Sequence, residues 1–460
     1  PRVAPMRALL LPIAAALLSH DAAATLQREE LSSSHAFSIV RSLCDEVGPR
    51  LAGSPGDRAA VAWALRTMPT LGLSNVHAEK VMVTHWERGE ARAELLGTPD
   101  QSLAVAALGG SVGTGPRGVE AEVVEAASLE ELDRLGAAAV KGKIVFLDPI
   151  MRRARDGAGY GEVVRNRHFG AREAAKLGAV AMLLRSAGTD HDRLPHTGGK
   201  SKDDHEIPAA ALSVPDAELL HRVLEERRSA RVRLLLGCRS LPEVPSANVV
   251  GDVPGREKPG EVVVVGAHLD SWDLGSGAID DGAGVAIALE TGRLLAAMPQ
   301  KPRRTVRVVL FANEEHGIQG AREYARAHAA ELGTYVAALE ADFGADAVYA
   351  VRWMGDPAAR ERFDELARLL APMGIAAQDS PGEAGADIGP LLAAGVPVLD
   401  LRQDGTRYFD VHHTASDTLD KIDPGVLAQA AASFATAAWA AADLEGDLGR
   451  VPEAMRKERW

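Results

Sequence analysis

The chain has 460 residues, of which 46% are hydrophobic and 25% charged, a composition typical of a folded globular protein. Because this length exceeds one ordinary hydrophobic core, two domains are expected. Its 51 basic and 64 acidic residues give a net charge of −13, which argues against a nucleic-acid partner, since phosphate binding needs a basic surface.

The first predicted element is a secretory signal. Arg7 is followed by an apolar run over residues 8–18 and by three alanines at 22–24, the order expected of a basic start, a short apolar stretch and a small-residue cleavage site. The run is too short to span a bilayer. We therefore assign residues 1–24 to a signal peptide and expect an exported, periplasmic or extracellular protein without stable membrane insertion.

The region up to residue 242 shows short helices and strands. An apolar period over 34–71 predicts two helices separated at Gly48-Pro49, and strand-like pieces follow at 76–84 and 91–96. From residue 108 onward strands and helices alternate as in a small α/β module. The predicted domains are therefore a catalytic domain in two parts (25–107 and 243–460) and an inserted domain (108–242).

Two overlapping glycine-rich patterns are interpreted as a loop. Gly109–Gly113 matches the nucleophile elbow around Ser111, a motif that requires a strand before the serine and a helix after it. The glycine spacing over 113–118 matches a dinucleotide-binding pattern, which also requires a following helix. Pro116 and the strand-like run that follows it exclude that helix.

The chain contains two cysteines, Cys44 and Cys238. Two cysteines this far apart in sequence cannot form a Cys-rich zinc site. A single disulfide and two free buried thiols are equally consistent with an exported protein.

From Ser246 onward the alternation of strands and helices is strong. Residues 262–266 form a continuous apolar run, as in a strand buried on both faces. Further strands are predicted at 305–311, 337–341 and 396–401, and helices at 284–298, 318–332 and 424–444. This order predicts a mostly parallel sheet with helices on both faces, in which ligands bind beyond the carboxyl ends of the strands.

These predicted strand ends carry histidines and carboxylates, namely His268, Asp270 and Asp280 after the first, Glu314 and Glu315 after the second, Asp342 after the third, and His412 and His413 after the fourth. Each group alone is as consistent with a solvated surface; together they predict a metal site. Nitrogen and carboxylate ligands without thiolate suit Zn²⁺ in an open catalytic site, with Mn²⁺ or Co²⁺ possible. The number of carboxylates indicates two ions that share a bridging aspartate.

The stretches GAHLDSW, GAIDDGAG, NEEHGIQGA, EADFG and FDVHHTASDT resemble, in this order, the dizinc exopeptidases of peptidase family M28. The resemblance points to the plasma glutamate carboxypeptidase (carboxypeptidase Q) branch and covers nearly all of the chain after the signal. It implies an α/β fold with a mostly parallel mixed sheet between helices, an inserted protease-associated domain, and a homodimer.

The resemblance also implies a role for each residue. The residues that match zinc ligands are His268, Asp280 and Asp342 for one ion and Asp280, Glu315 and His413 for the other. Glu314 matches the general base, and Asp270 matches the carboxylate that orients His268.

One ligand choice rests on adjacent aspartates. Asp280 is preferred to Asp281 because the family ligand lies four residues before the glycine matched by Gly284. Asp273 and Asp281 are expected to stabilise turns or to support the ligands.

The other choice rests on adjacent histidines. His413 is preferred to His412 because the family ligand lies four residues before the aspartate matched by Asp417. His412 is expected to face the other way, as a wall or substrate contact. Most of the remaining histidines, including His168, His191, His196 and His205, are expected at the surface, with the loop HTGGKSKDDHEIP as an alternative cover for the active site of a dimer partner.

The predicted function is hydrolysis of dipeptides or short peptides with a free terminus, by a hydroxide between two metal ions with Glu314 as base. Glu383 or Asp387 would bind a substrate amine, although a solvated loop is equally consistent. The same fold hosts glutaminyl cyclases, which keep one zinc, and catalytically silent receptor-like binding proteins, which lack the ligands. The complete residue set favours the peptidase.

Overall fold

A computed structural model of the protein describes residues 10–202 and 206–456. The α-helices are α1 (Leu10–Ser33), α2 (Ala36–Glu46), α3 (Pro55–Thr70), α4 (Leu129–Val140), α5 (Ala158–Lys176), α6 (Val214–Arg227), α7 (Ala283–Ala297), α8 (Gln319–Ala327), α9 (Arg360–Leu370), α10 (Gly389–Ala393) and α11 (Pro424–Asp443). The strands are β1 (Ser74–Glu87), β2 (Ala91–Leu95), β3 (Gln101–Leu103), β4 (Val105–Ala107), β5 (Val119–Ala126), β6 (Ile144–Leu147), β7 (Ala181–Arg185), β8 (Ala209–Leu212), β9 (Arg231–Leu236), β10 (Arg239–Val253), β11 (Lys258–His268), β12 (Arg304–Phe311), β13 (Tyr335–Glu340), β14 (Val348–Met354), β15 (Ala376–Pro381) and β16 (Val398–Gln403).

The first sheet has eight strands in the order β1-β10-β12-β11-β13-β16-β14-β15. Its centre is parallel, because β11 pairs with β12 and β13, and β13 with β16, in the same direction. Side chains alternate along β11, so that Val263 and Val265 pack with α2, α7 and α11 while Val262 and Val264 pack with α8 and α10. The predicted mostly parallel sheet between two helix layers is confirmed.

The second sheet also has eight strands, in the order β3-β2-β9-β5-β6-β7-β8-β4. Ile144 and Phe146 of β6 face α6, whereas Val145 and Leu147 face α4 and α5. The long antiparallel pair of β1 and β10 lies at the edge of the first sheet and leads into and out of this region.

The strands of the second sheet suggest an earlier start for the inserted domain than the predicted residue 108. β2, β3 and β4 precede residue 108 but pair in the second sheet, and the predicted end at 242 falls within β10. The alternation of residues 91–96 predicts a half-buried strand but not the partner strand, which explains the difference. We propose that the inserted region begins between Glu87 and Ala91.

The glycine-rich segment 108–118 contains no helix, as predicted. Ser111 is buried, and its Oγ accepts a hydrogen bond from the backbone N–H of Ala209 at 2.9 Å. This serine therefore supports the loop and is not presented as a nucleophile.

Cys44 and Cys238 are both free thiols. Burial raises the pKa of each thiol above its ordinary value. Of the two alternatives that the sequence allows, the structure has the free thiols, in their unreactive protonated form.

Two apolar segments bear on the membrane prediction. Among the described residues one helix, α11, has the length and composition to cross a membrane, but 83% of its apolar window is buried in the protein. It packs against α1 and α7 as a core helix. Of the predicted signal at residues 1–24, residues 1–9 lie outside the described residues, and α1 runs from Leu10 through 22–24.

Candidate metal centre

Neighbouring parallel strands deliver the candidate ligands to one edge of the first sheet. His268 is the last residue of β11, Glu314 and Glu315 follow β12, and Asp342 follows β13. His412 and His413 lie in the loop after β16. Because these strands are adjacent and parallel, their carboxyl ends lie side by side, as the sequence predicts.

Asp280 lies between two groups of side chains. Its Oδ1 is 3.2 Å from His268 Nε2, and its Oδ2 is 3.1 Å from His413 Nε2. Asp342 Oδ1 is 3.5 Å from His268 Nε2, and Glu315 Oε2 is 3.1 Å from His413 Nε2. The structure thus brings all five predicted ligands together, in two triads that share one carboxylate.

The donor set fits a pair of divalent cations. Glu315 Oε1 is buried without a hydrogen-bond partner. In the part of the chain that the structure describes, no lysine or arginine forms an ion pair with Asp280, Glu315 or Asp342. Buried carboxylates without a positive partner are costly, so imidazole nitrogens and carboxylate oxygens in this arrangement suit Zn²⁺.

The electrostatics of the site suit the binding of cations. Burial raises the pKa of Glu314 well above its ordinary value. Although burial opposes the shift, hydrogen bonds from His268 and His413 hold the pKa of Asp280 well below its usual range. Burial alone would lower the pKa of His413, but the charge of Glu315 raises it to about 9. Protons on the histidines thus supply the charge that cations would bring.

Asp281 supports the turn that carries Asp280. Its two carboxylate oxygens accept hydrogen bonds from the backbone N–H groups of His268 at 3.0 Å and Gly284 at 3.1 Å. The peptide bond between Asp280 and Asp281 is cis. Both oxygens of Asp281 are engaged with backbone, so Asp280 is the aspartate that lies between the two histidines.

His412 does not face away from the centre, contrary to the sequence-based expectation. Its ring stacks on that of His413 with centroids 3.5 Å apart, and its Nε2 is 3.5 Å from Asp280 Oδ2. The reason is the backbone of His413, whose φ of 62° lies in the left-handed region and turns consecutive side chains to one side. Burial lowers the pKa of His412 well below its ordinary value, so its ring is neutral.

Asp270 links His268 to Glu314. Its carboxylate Oδ1 is 3.7 Å from His268 Nδ1, beyond a hydrogen bond, whereas its backbone oxygen is 3.1 Å from that nitrogen. Oδ1 instead accepts a hydrogen bond from the backbone N–H of Glu314 at 3.0 Å. Asp270 therefore positions both residues, one through its carbonyl and one through its side chain.

Two further side chains hold the ligands and were not predicted from the sequence. The indole N–H of Trp272 donates to Glu315 Oε2 at 2.6 Å. Asp417 accepts hydrogen bonds from the backbone N–H groups of Ile279 at 2.6 Å and Asp280 at 3.2 Å. Both lie inside the quoted motifs, which was the available signal, but a motif does not reveal which ligand a neighbour supports.

The second-sheet region also reaches the centre. The backbone oxygen of Thr197 is 3.3 Å from His413 Nδ1, and Arg167 Nη1 of α5 is 3.4 Å from the same nitrogen. Arg167 is 8% exposed, and its Nε is buried without a hydrogen-bond partner. Among the described residues no carboxylate pairs with this guanidinium.

Neither candidate for binding a substrate amine presents an accessible, unpaired carboxylate. Glu383 Oε2 lies 3.6 Å from Arg352 Nη2 and 3.8 Å from Arg402 Nη1. Asp387 is 1% exposed, and burial raises its pKa well above its ordinary value. Asp387 is therefore a buried acid that favours its neutral form.

The other histidines differ in exposure. His168 and His191 are exposed, as predicted, and His205 lies outside the described residues. His196, at 1% exposed, is the exception to the expectation that most of these histidines lie at the surface. A lone histidine in a polar loop carries no sequence signal of burial, because its partners come from distant segments.

Comparison with known proteins finds a matching family profile, related sequences and related structures. The sequence profile described as "Peptidase family M28" matches residues 248–438. Mouse and rat carboxypeptidase Q are 38% and 39% identical over 410 residues, which cover 89% of this chain and 86% and 85% of theirs. The crystal structure of a Peptidase M28 precursor from Shewanella amazonensis superposes with a TM-score of 0.93 at 44% identity over 95% of this chain and 99% of that one. A zinc aminopeptidase from Bacillus subtilis, 20% identical with a TM-score of 0.66 over 92% of this chain and 98% of that one, shares the fold.

Proposed function

This chain belongs to peptidase family M28, in the branch of carboxypeptidase Q, and we propose that it is a dizinc exopeptidase acting on short peptides. The observation that carries the proposal is the position of Asp280, whose two oxygens lie 3.2 Å from His268 Nε2 and 3.1 Å from His413 Nε2. One carboxylate placed in this way suits a bridging ligand. Zn²⁺ is the first candidate, and Mn²⁺ or Co²⁺ also accept such donors.

The ions would be held by the two triads described above, and when bound they would acidify water and polarise the scissile carbonyl. Glu314 would take the proton of the attacking water and deliver it to the leaving amine. It suits this role because it forms no ion pair with His268 or His413, unlike the neighbouring Glu315. Asp270 holds the backbone of Glu314 and so fixes the base beside the centre.

Arg167 is the group best placed to bind a substrate carboxylate. Its guanidinium is buried beside His413, pairs with no carboxylate among the described residues, and retains a small exposed surface. A buried guanidinium without an anion is as costly as an unpaired carboxylate, and its planar donors match a carboxylate. We therefore propose that Arg167 of α5 binds the free carboxyl terminus of the substrate. This agrees with the carboxypeptidase name of the relatives.

The proposal is tested by metal analysis and activity on a matched peptide panel. The purified protein should contain two zinc ions, lose activity with a chelator and regain it with Zn²⁺. A free dipeptide should be hydrolysed faster than its C-terminal amide. Full activity in metal-free protein would contradict the proposal.

Two alternatives on the same fold predict other outcomes. A glutaminyl cyclase would bind one ion and convert an N-terminal glutamine without hydrolysing a dipeptide. A silent binding protein would show no turnover with metal bound. The five converging ligands and Glu314 favour the peptidase.

Export and dimerisation complete the proposed function. We propose secretion on the basis of the signal sequence predicted at residues 1–24, and a homodimer on the basis of the family resemblance. N-terminal sequencing of the mature protein and its mass in solution test these two statements separately.

A further inference from the structure

A histidine of the second-sheet region forms part of the wall of the metal centre. His196 lies in the loop between β7 and β8 and is 1% exposed. Its Nδ1 is 2.7 Å from the backbone oxygen of His412, and its Nε2 is 2.6 Å from Asp190 Oδ1. The ring therefore connects a buried carboxylate to the peptide that carries His413.

The partners of His196 leave one orientation for its ring. Both ring nitrogens face oxygen atoms that accept hydrogen bonds, so the contacts at opposite ends of the ring fix its orientation. The other oxygen of Asp190 accepts the backbone N–H of Asp192 at 2.9 Å, which fixes the carboxylate. The backbone N–H of His196 donates to Ser186 Oγ at 2.8 Å.

The next residue in the loop holds His413 itself. The backbone N–H of Thr197 donates to the backbone oxygen of His413 at 3.0 Å. The backbone oxygen of Thr197 is 3.3 Å from His413 Nδ1 and accepts its proton when Nε2 faces the centre. His196 and Thr197 together thus hold both carbonyls of the His412–His413 pair and one ring.

His413 needs such support because of its backbone. Its φ of 62° lies in the left-handed region, which is unfavourable for a residue with a Cβ atom. A strained conformation persists only where the surroundings hold it. The hydrogen bonds from the loop act on the two carbonyls that flank this turn.

We propose that Asp190 and His196 form a positioning pair that sets the backbone of His413 for metal binding. The region of the second sheet then completes the metal centre instead of merely covering it. The inference rests on the dizinc centre of the proposed function, but not on peptidase activity. It predicts that one of the two ions depends on a hydrogen bond made outside the ligand set.

The test is zinc titration of the metal-free protein by calorimetry. His196→Phe keeps the ring volume and removes both hydrogen bonds, so one of the two ions should bind about 10- to 100-fold more weakly. Asp190→Asn should stay close to wild type, because the amide can donate to Nε2 while Nδ1–H still donates to His412. His191→Phe, an exposed histidine of the same loop, is the matched control and should bind zinc normally.

A second readout does not involve the metal. Hydrogen exchange at the backbone amides of residues 409–414 should be faster in metal-free His196→Phe than in the metal-free wild type. A merely structural role would lower the melting temperature and leave zinc affinity unchanged.

The possible results separate the two proposals. Two ions bound with wild-type affinities by folded His196→Phe would overturn the positioning role. Fewer than two ions in the wild type would overturn the dizinc centre instead. If His196→Phe does not fold, Asp190→Ala is the substitute variant. It keeps the His196 ring but removes its contact with Asp190, and the same zinc titration then tests the positioning role.

Discussion

At the scale of single residues, the centre depends on how one carboxylate is shared. Asp280 contributes one oxygen to each triad, whereas Asp342 and Glu315 each belong to one triad. Asp417 accepts the backbone N–H of Asp280, and Trp272 donates to Glu315, so the ligands themselves are held by hydrogen bonds. Support of this kind sets ligand orientation in metal sites.

Glu314→Gln should remove the general base while leaving the ligands in place. We expect kcat/KM to fall by about 10²- to 10⁴-fold, the usual contribution of a positioned base. Zinc content should not change, because Glu314 forms no ion pair with either histidine. Steady-state kinetics and metal analysis of the same preparation check this, and unchanged turnover with metal bound would show that another group is the base.

Arg167→Gln should weaken recognition of the free carboxyl terminus. We expect kcat/KM for a dipeptide to fall by about 10- to 150-fold, from the loss of a charge-assisted hydrogen bond, with little change for the dipeptide amide. Arg165→Gln on the exposed face of the same helix is the control. Equal losses on both substrates would assign Arg167 to the support of His413 instead of the substrate.

At the scale of elements, α7 must approach the end of β13 closely to bring Asp281 under the site. Gly284 lies in the first turn of α7, and a Cβ atom there would be 1.9 Å from the backbone oxygen of Ala341 and 2.2 Å from Asp281 Oδ1. Glycine therefore permits the contact between helix and strand that places the carboxylate. Packing therefore explains why the last residue of the GAIDDGAG motif, Gly284, is a glycine.

Gly284→Ala should lower both stability and zinc affinity. The added methyl meets backbone, so the free energy of unfolding should fall by about 1–3 kcal/mol, as overpacked cores do. Gly161→Ala in α5 is the control, because a Cβ there meets nothing within 4 Å and alanine favours the helix. Urea unfolding of both variants measures the effect, and equal stabilities would show that α7 shifts without cost.

At the scale of the whole molecule, two α/β regions meet at the loop that carries His412 and His413. Arg153 pairs with Asp410 at 2.6 Å, and the backbone N–H of Thr189 donates to the oxygen of Phe409 at 3.0 Å. The metal centre therefore lies where the two regions contact each other, a common place for binding sites.

In the metal-free protein, the contributions of Asp417 and His413 to stability should fall as pH rises. Burial raises the pKa of Asp417 to about 7, so its contribution is greatest below its ordinary pKa and is lost as pH approaches 7. The pKa of His413 is raised to about 9, so its contribution is present below its ordinary pKa and is lost as pH rises through 9.

Bound zinc should displace the protons held by the residues of the centre. The stabilisation of the protein by zinc should therefore grow with pH. We expect the difference in melting temperature between zinc-loaded and chelated protein to widen from about pH 5.5 to about pH 8.5. Thermal unfolding at fixed ionic strength checks this. A constant or shrinking difference would mean that protons on these residues do not compete with zinc.

Individual residues show which features of the site could be predicted from the sequence and which could not. His268, Glu315 and Asp342 follow apolar strands, and the parallel order of such strands brings their ends together. The orientation of His412 was not predictable, since it depends on the left-handed turn at His413. The burial of His196 was not predictable either, because Asp190 and the carbonyl of His412 reach it only in the fold.

The amino-acid sequence by itself determined the α/β class, the family and the ligand candidates, because strand and helix periods and the spacing of short motifs are local properties. The tertiary structure alone decided that Asp280 lies between both histidines, that β2 to β4 join the second sheet, and that Arg167, His196 and Thr197 reach the centre. These depend on contacts between segments that are distant along the chain. Local patterns specify which face of an element is buried, but not what it is buried against.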